Sequence, residues 1–77
     1  MNILIDTPTS ATYASGRIIV RMESGLEFSF PCAAYSRLES ATEEQRANIE
    51  LSPMGLHWPE IDEDLSIRAL LREHAQQ

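Results

Sequence analysis

Apolar and polar side chains alternate along two successive segments in the first half of the chain, which is the pattern of half-buried β-strands. The segments span residues 17–22 and 26–30, and Glu23-Ser24-Gly25 separates them. A three-residue loop with glycine in the left-handed position is a common hairpin connection. The apolar positions are Ile18, Val20 and Met22 in the first strand and Leu26, Phe28 and Phe30 in the second. The sequence therefore predicts an antiparallel hairpin over about 17–30, with Phe28 and Phe30 in the core.

One register of this hairpin satisfies both of its faces. Pairing Met22 with Leu26 also places Val20 opposite Phe28 on the apolar face. The same register brings Arg21 opposite Glu27 on the polar face, where opposite charges attract. A shift by one residue would expose the whole apolar set, so the register is predicted with the hairpin.

The flanking segments carry turn and helix signals. Residues 7–16 are rich in turn-forming residues and predict a loop, after a short apolar start at residues 3–5 that is typical of an edge strand. Pro31 ends the second strand because it has no N–H to donate. Helical spacing of apolar residues predicts a short helix over 32–39. Thr42-Glu43-Glu44-Gln45 has the form of a capping box and predicts a second helix over about 43–48.

A second hairpin and a last helix complete the chain. Residues 49–51 and 56–58 flank the turn-rich Ser52-Pro53-Met54-Gly55, and Trp58 is expected to anchor the buried face. We expect the acidic stretch 60–64 to be a solvated connection. The last helix, about 66–74, opens at Leu65 or with Asp64 or Ser66 as its cap. Its apolar stripe is formed by Ile67, Leu70, Leu71 and His74, and its opposite side carries Arg68 and Arg72.

Together these elements predict one α+β domain over residues 1–77. Its small antiparallel sheet is built from the two hairpins, about 17–30 and 49–58. Short helices and the C-terminal helix, about 66–74, pack on one face of the sheet. Seventy-seven residues give a small core, which excludes a two-domain enzyme with an interdomain cleft.

The charge balance disfavours direct binding of nucleic acid. Six arginines and no lysine stand against twelve carboxylates, and the formal net charge is −6. Phosphate contacts normally need a basic face, whereas these arginines are dispersed along the chain. We also expect no membrane span and no secretory signal, and therefore a cytoplasmic protein. The lone Cys32 excludes an intramolecular disulfide and suits a reducing compartment.

The segment 49–71 resembles the bacterial domain-of-unknown-function family 2442. The specific part is His57-Trp58-Pro59-Glu60 followed by Asp62-Glu63-Asp64-Leu65-Ser66. The elements that precede it also follow the family's order, namely the strand at 17–22, the glycine turn, the second strand and the helical stretch. The resemblance therefore covers roughly residues 15–72.

The resemblance implies a small α+β fold and no established catalytic residues. It also implies an accessory role, since some members carry a helix-turn-helix domain after this module. Others are thought to occur beside a second small protein in toxin–antitoxin-like or mobile-element contexts. We expect this chain to be a single-module member that lacks the helix-turn-helix extension.

The sequence contains only weak signals of enzymatic activity. Metal binding has the clearest donors, His57, Glu60, Asp62 and Asp64, but their spacing lacks the glycine and the distal glutamate of an EF-hand. Cys32 follows Pro31 at a helix start, where a thiolate is favoured, although a small buried side chain is the simpler interpretation. We find no nucleophile elbow and no glycine-rich phosphate loop. The sequence thus predicts no enzyme, no metal and no cofactor.

Two functional hypotheses follow from the sequence. The first is a non-enzymatic accessory module, antitoxin-like or regulatory, that docks on a partner protein through a sheet edge or the outer face of the last helix. The alternative is an acidic inhibitor from a phage or mobile element, anti-CRISPR-like, that acts on a nucleic-acid-handling host complex. Self-association as a weak homodimer is left open, because Ile19 lies on the polar hairpin face. The candidate partner-binding residues are Glu60, Asp62, Glu63, Asp64, Arg68 and Arg72.

Overall fold

The computed structural model describes residues 6–75, which form an α+β arrangement of two three-stranded antiparallel sheets and short helices. The first half contains β1 (Pro8–Ala14), β2 (Arg17–Met22), β3 (Glu27–Pro31), a 3-10 turn (Cys32–Ala34) and α1 (Ser36–Glu39). The second half contains α2 (Glu43–Ala47), β4 (Glu50–Ser52), β5 (Gly55–Trp58), β6 (Glu63–Ser66) and α3 (Ile67–His74). We call β1–β3 the N-terminal sheet and β4–β6 the C-terminal sheet.

The central hairpin is confirmed with its register. β2 pairs with β3 so that Val20 lies opposite Phe28 and Arg21 lies opposite Glu27. The Met22 N–H donates to the Leu26 carbonyl at 2.8 Å, which continues the same register into the loop. Gly25 has φ +101°, the left-handed conformation that the loop prediction required.

The predicted loop over residues 7–16 is wrong, because residues 8–14 form β1. Ser15 and Gly16 both have positive φ, +52° and +81°, as in the two-residue type I′ turn that joins twisted strands. This turn places Ala11 opposite Val20 and Tyr13 opposite Ile18. The many turn-forming residues of β1 hide a short alternation, in which Ala11 and Tyr13 are half-buried and Thr12 and Ala14 are exposed. The predicted edge strand at residues 3–5 lies outside the described residues.

The two short helices are confirmed, the first with an interruption. The stretch 32–39 divides into the 3-10 turn and α1, because Tyr35 between them is extended with φ −131° and ψ 120°. At α2 the capping box forms as predicted. The Gln45 N–H donates to the Thr42 hydroxyl at 3.1 Å, and the Thr42 N–H donates to the Gln45 side chain at 3.0 Å.

The second hairpin is also confirmed, but the acidic stretch after it is more than a solvated connection. Asp62 has φ +54° and turns the chain back, and residues 63–66 then form β6. β6 pairs with β5 so that Leu65 lies opposite Leu56 and Asp64 opposite His57. The alternation of Glu63, Asp64, Leu65 and Ser66 had too few apolar positions to signal a strand. Ser66, the last residue of β6, is the N-cap of α3.

The two hairpins belong to separate sheets rather than to the single sheet that was predicted. Each hairpin gains a third strand of its own, β1 beside β2 and β6 beside β5. The outer edge of β3 ends at Pro31, which cannot donate to a further strand. α3 packs against β3, β5 and β6 and so bridges the two sheets, while β1 lies against β4 and α2.

A common core joins both sheets and the helices. Its buried members come from β2, β3, β5 and α3, and two more, Cys32 and Leu38, come from the helical stretch 32–39. The largest is Trp58, which is 0% exposed and anchors the second hairpin as predicted. The other buried members are Ile18, Val20, Met22, Phe28, Phe30, Leu56, Ile67 and Leu70. This core fixes the orientation of α3, since Ile67 and Leu70 face inward.

Candidate functional site

The outward face of α3 carries two of the predicted partner-binding residues, Arg68 and Arg72. Both are exposed, because burial of Ile67 and Leu70 turns the opposite side of the helix to solvent. The helix begins at a firm cap, where the Ala69 N–H donates to the Ser66 hydroxyl at 3.2 Å. The Ile67 N–H donates to the Met54 carbonyl at 2.9 Å and fixes this end to the second hairpin. The two guanidinium groups therefore stand one helical turn apart on a well-anchored element.

The other four arginines all make hydrogen bonds within the chain. Arg17 donates to the Ser29 hydroxyl at 3.1 Å, and Arg21 forms an ion pair with Glu27 at 2.7 Å. Arg37 donates to the Asp62 carbonyl. Among residues 6–75, Arg68 and Arg72 make no such hydrogen bond or ion pair. The cations of α3 are thus the ones that this part of the fold leaves available.

Arg46 is the most highly connected of the arginines. Its guanidinium donates to the Leu38 carbonyl at 2.8 Å and to the Glu39 carbonyl at 2.9 Å. It also donates to the Tyr13 hydroxyl at 3.2 Å, a bond that raises the pKa of Arg46. Its own carbonyl accepts a hydrogen bond from Trp58 Nε1 at 3.0 Å. Arg46 therefore joins α1, α2, β1 and β5 and has a structural role.

The four predicted acidic residues do not form one cluster. Glu63 and Asp64 are neighbours in β6 and so point to opposite faces of the C-terminal sheet. Asp64 contacts His57 Nδ1 through its carboxylate at 2.7 Å, and Glu60 accepts a hydrogen bond from the Asn48 amide at 2.9 Å. Asp62 forms the turn before β6. The acidic stretch is therefore partly engaged within the chain.

A polar row crosses the outer face of the C-terminal sheet. The register places Glu50 opposite His57 and His57 opposite Asp64, so that an imidazole lies between two carboxylates. Sequence reasoning missed Glu50, although the predicted turn at 52–55 already implies that it pairs with His57. Within residues 6–75, no group of three or more His, Cys, Asp or Glu side chains has an arrangement that could hold a metal ion.

The serines beside this row are engaged with backbone groups. The Ser52 hydroxyl accepts from the Gly55 N–H at 3.0 Å, and the Ser66 hydroxyl caps α3. A histidine paired with an aspartate activates a serine only when the serine hydroxyl lies within hydrogen-bond distance of the imidazole. Here the His57–Asp64 pair forms a cross-strand contact between β5 and β6.

A cluster at the end of α3 fixes the helix to the N-terminal sheet. The Tyr35 hydroxyl donates to Glu73 at 3.0 Å and lies 2.8 Å from His74 Nε2. Because the hydroxyl has one proton, we assign it to Glu73 and assign His74 as the donor to the tyrosine oxygen. The His74 ring also packs on Phe30, with ring centroids 5.2 Å apart. Burial, and secondarily Glu73, raise the pKa of Tyr35 to about 12.

This cluster predicts a loss of stability at alkaline pH. A tyrosine in an unfolded chain titrates near pH 10, so the neutral phenol stabilises the fold below about pH 10. That contribution is lost as the pH rises toward the folded pKa of about 12. We expect the difference in urea midpoint between the wild type and Tyr35→Phe to shrink between pH 8 and about pH 11. An equal difference at both pH values would contradict the role of the hydroxyl.

Two further features bear on candidate chemistry, Cys32 and a groove on the surface. Cys32 is buried in the core, and burial raises the pKa of its thiol. This environment suits the small apolar role and opposes a reactive thiolate. A shallow groove of about 390 Å³ lies between α1, α2 and the turn before β6, open to solvent along its length. It is lined by Ser36, Arg37, Ser40, Ala41, Gln45 and Ile61.

The comparisons with known proteins point to one family. A family described as "Protein of unknown function (DUF2442)" matches residues 8–76. A crystal structure of a protein of unknown function from Rhodospirillum rubrum is similar to this chain, with 35% identity and a TM-score of 0.81. The similarity covers 88% of this chain and 87% of that one. No functionally curated protein matches the chain. None of the helices within residues 6–75 has the length and apolar composition needed to cross a membrane.

Proposed function

The chain belongs to the DUF2442 family, whose function is unknown, and we propose that it is a small non-enzymatic module that docks on a partner protein. The role is antitoxin-like or regulatory, and we place it in the cytoplasm. The observation that carries the proposal is the outward face of α3. There Arg68 and Arg72 are exposed, and neither has a hydrogen-bonding partner among residues 6–75.

The structure of α3 suits docking better than the other exposed surfaces do. A helix that is packed on one side and capped at its start presents its outer face in one orientation, which lowers the entropic cost of binding. Arginine is enriched among residues that dominate protein interfaces, since its planar group makes several hydrogen bonds at once. Two of the four sheet edges are poor docking sites, because β3 ends at Pro31 and β4 has three residues.

The experiment compares capture of partner proteins by three forms of the tagged chain in its native host. These are the wild type, the double variant Arg68→Gln/Arg72→Gln, and the matched control Arg17→Gln/Arg21→Gln. Both variants lose two positive charges, but the control loses them from the N-terminal sheet. We expect a protein that is captured by the wild type and the control and lost from the α3 variant. Capture of the same proteins by all three forms would contradict docking through α3.

The acidic inhibitor is the second candidate. The observation that favours it is the exposed polar row of the C-terminal sheet, where the Asp64 side chain is 75% exposed. Carboxylates on such a face have the charge needed to occupy a phosphate-binding surface. The test neutralises Glu60, Asp62, Glu63 and Asp64 together and measures inhibition of a candidate nucleic-acid-handling complex. Inhibition that persists in this variant would show that phosphate mimicry is the wrong account.

A further inference from the structure

Arg68 occupies a position that disfavours a cation. It is the second residue of α3, next to the helix N-terminus, where the backbone N–H groups create positive potential. Negative side chains are favoured at this end of a helix and positive ones at the other. The Ser66 hydroxyl already caps the N-terminus, so that Arg68 has no capping role. Nothing in the local electrostatics of α3 therefore accounts for an arginine at this position.

Arg72 adds a second unfavourable contact. It lies four residues after Arg68, and like charges at this spacing repel each other on a helix surface. Arg72 alone suits the C-terminal turn, where a cation is favoured. The contact between the two arginines, however, is unfavourable in the isolated chain. Residues that disfavour the local structure are expected at functional positions, where a binding partner supplies the favourable interaction.

We propose that the outward face of α3 binds an acidic segment of the partner protein, in which two carboxylates one helical turn apart pair with Arg68 and Arg72. The inference rests on the proposed docking function and names its chemistry. Side chains four apart on a helix are about 5–6 Å apart at their Cβ atoms, so Asp or Glu residues at the same spacing in a partner helix match them. Each guanidinium can then hold a carboxylate through two parallel hydrogen bonds.

A protein segment fits this face better than a nucleic acid does. The chain has a net charge of −6, and the segment before α3 contributes Glu60, Asp62, Glu63 and Asp64. A continuous run of phosphates that reached beyond the two arginines would be repelled by this negative charge. A partner helix with two carboxylates meets the arginines alone and is free to present neutral or basic groups to the acidic neighbours.

The experiment places a photo-crosslinking amino acid at Ala69, a half-buried residue of α3 that lies between Arg68 and Arg72 in the sequence. A second form carries it at Thr12, on the exposed side of β1, as the control. Both are expressed in the native host, irradiated, and the crosslinked peptides are sequenced by mass spectrometry. We expect the Ala69 form, but not the Thr12 form, to capture a protein segment with two acidic residues three or four positions apart.

The contact is then tested by charge exchange with the purified partner. Arg68→Glu is expected to weaken binding at least tenfold, and replacement of the matching partner carboxylate by arginine is expected to restore it. The same Arg68→Glu variant is expected to keep or raise the melting temperature, because glutamate suits the N-terminus of α3 and pairs with Arg72. A fall in melting temperature of several degrees would show that Arg68 is structural and would remove the basis of the inference.

The outcomes separate the inference from the function on which it rests. A partner that crosslinks at Ala69 through a segment without acidic residues would refute the acidic segment and leave docking through α3 intact. Crosslinks to nucleic acid would refute both. The absence of any crosslink at Ala69, with the variant folded, would refute docking through α3 itself.

Discussion

Trp58→Ala is expected to leave most of the protein unfolded at 25 °C. Trp58 is 0% exposed on β5, and its removal creates a cavity in the core shared by the two sheets. Truncation of a buried tryptophan costs about 3–5 kcal/mol. A core in a domain of this size supplies about the same amount in total. Far-ultraviolet circular dichroism should therefore show loss of the native signal, and urea should produce no cooperative transition.

Two further variants make this prediction specific. Trp58→Phe keeps most of the buried volume but loses the hydrogen bond to the Arg46 carbonyl, so we expect an intermediate loss of stability. Met54→Ala is the surface control, because Met54 is 78% exposed at the tip of the second hairpin. Its effect should stay within about 0.5 kcal/mol. A cooperative transition in Trp58→Ala near the wild-type midpoint would refute the placement of Trp58 in the core.

Arg46→Met is expected to cause the second largest loss of stability. The substitution keeps the length of the side chain but removes the donors to Leu38, Glu39 and Tyr13. Two carbonyl groups at the end of α1 then lose their charge-assisted hydrogen bonds, which are about twice as strong as neutral ones. The urea midpoint should fall several times further than it does for Arg21→Met, which loses an exposed ion pair with Glu27.

Arg46→Lys tests the geometry of the same contact. Lysine keeps the charge but cannot serve three acceptors in one plane, so we expect a clear loss of stability as well. Wild-type stability in Arg46→Lys would mean that the charge alone is sufficient. Wild-type stability in Arg46→Met would show that the Arg46 hydrogen bonds do not hold α1 to β1.

The sequence predicted elements whose apolar positions repeat with a clear period. The register of the 17–30 hairpin followed from the alternation of its strands, and α2 followed from its capping box, because both signals are local. β1 and β6 were missed for the same physical reason. Their strands carry few large apolar residues and are stabilised by pairing with β2 and β5, which depends on turns at Gly16 and Asp62 with positive φ. Such pairing is a tertiary effect that outweighs local propensity.

The candidate site was predictable in part. Helical spacing alone placed Arg68 and Arg72 on the outer side of the last helix. The sequence alone could not predict which arginines make hydrogen bonds within the fold. Arg17, Arg37 and Arg46 bind groups that are distant in the sequence, so their engagement is visible only in the folded chain. The acidic stretch is continuous in the sequence, but its strand geometry directs Glu63 and Asp64 to opposite faces. Which charges remain free is a property of the folded chain.

The most direct test of docking through α3 is a calorimetric titration of the purified partner into three proteins. These are the wild type, Arg68→Gln/Arg72→Gln, and Arg17→Gln/Arg21→Gln, all at the same ionic strength. The account predicts that the α3 variant binds at least tenfold more weakly, a loss of at least about 1.4 kcal/mol, while the control binds like the wild type. Equal dissociation constants for the wild type and the α3 variant would contradict it.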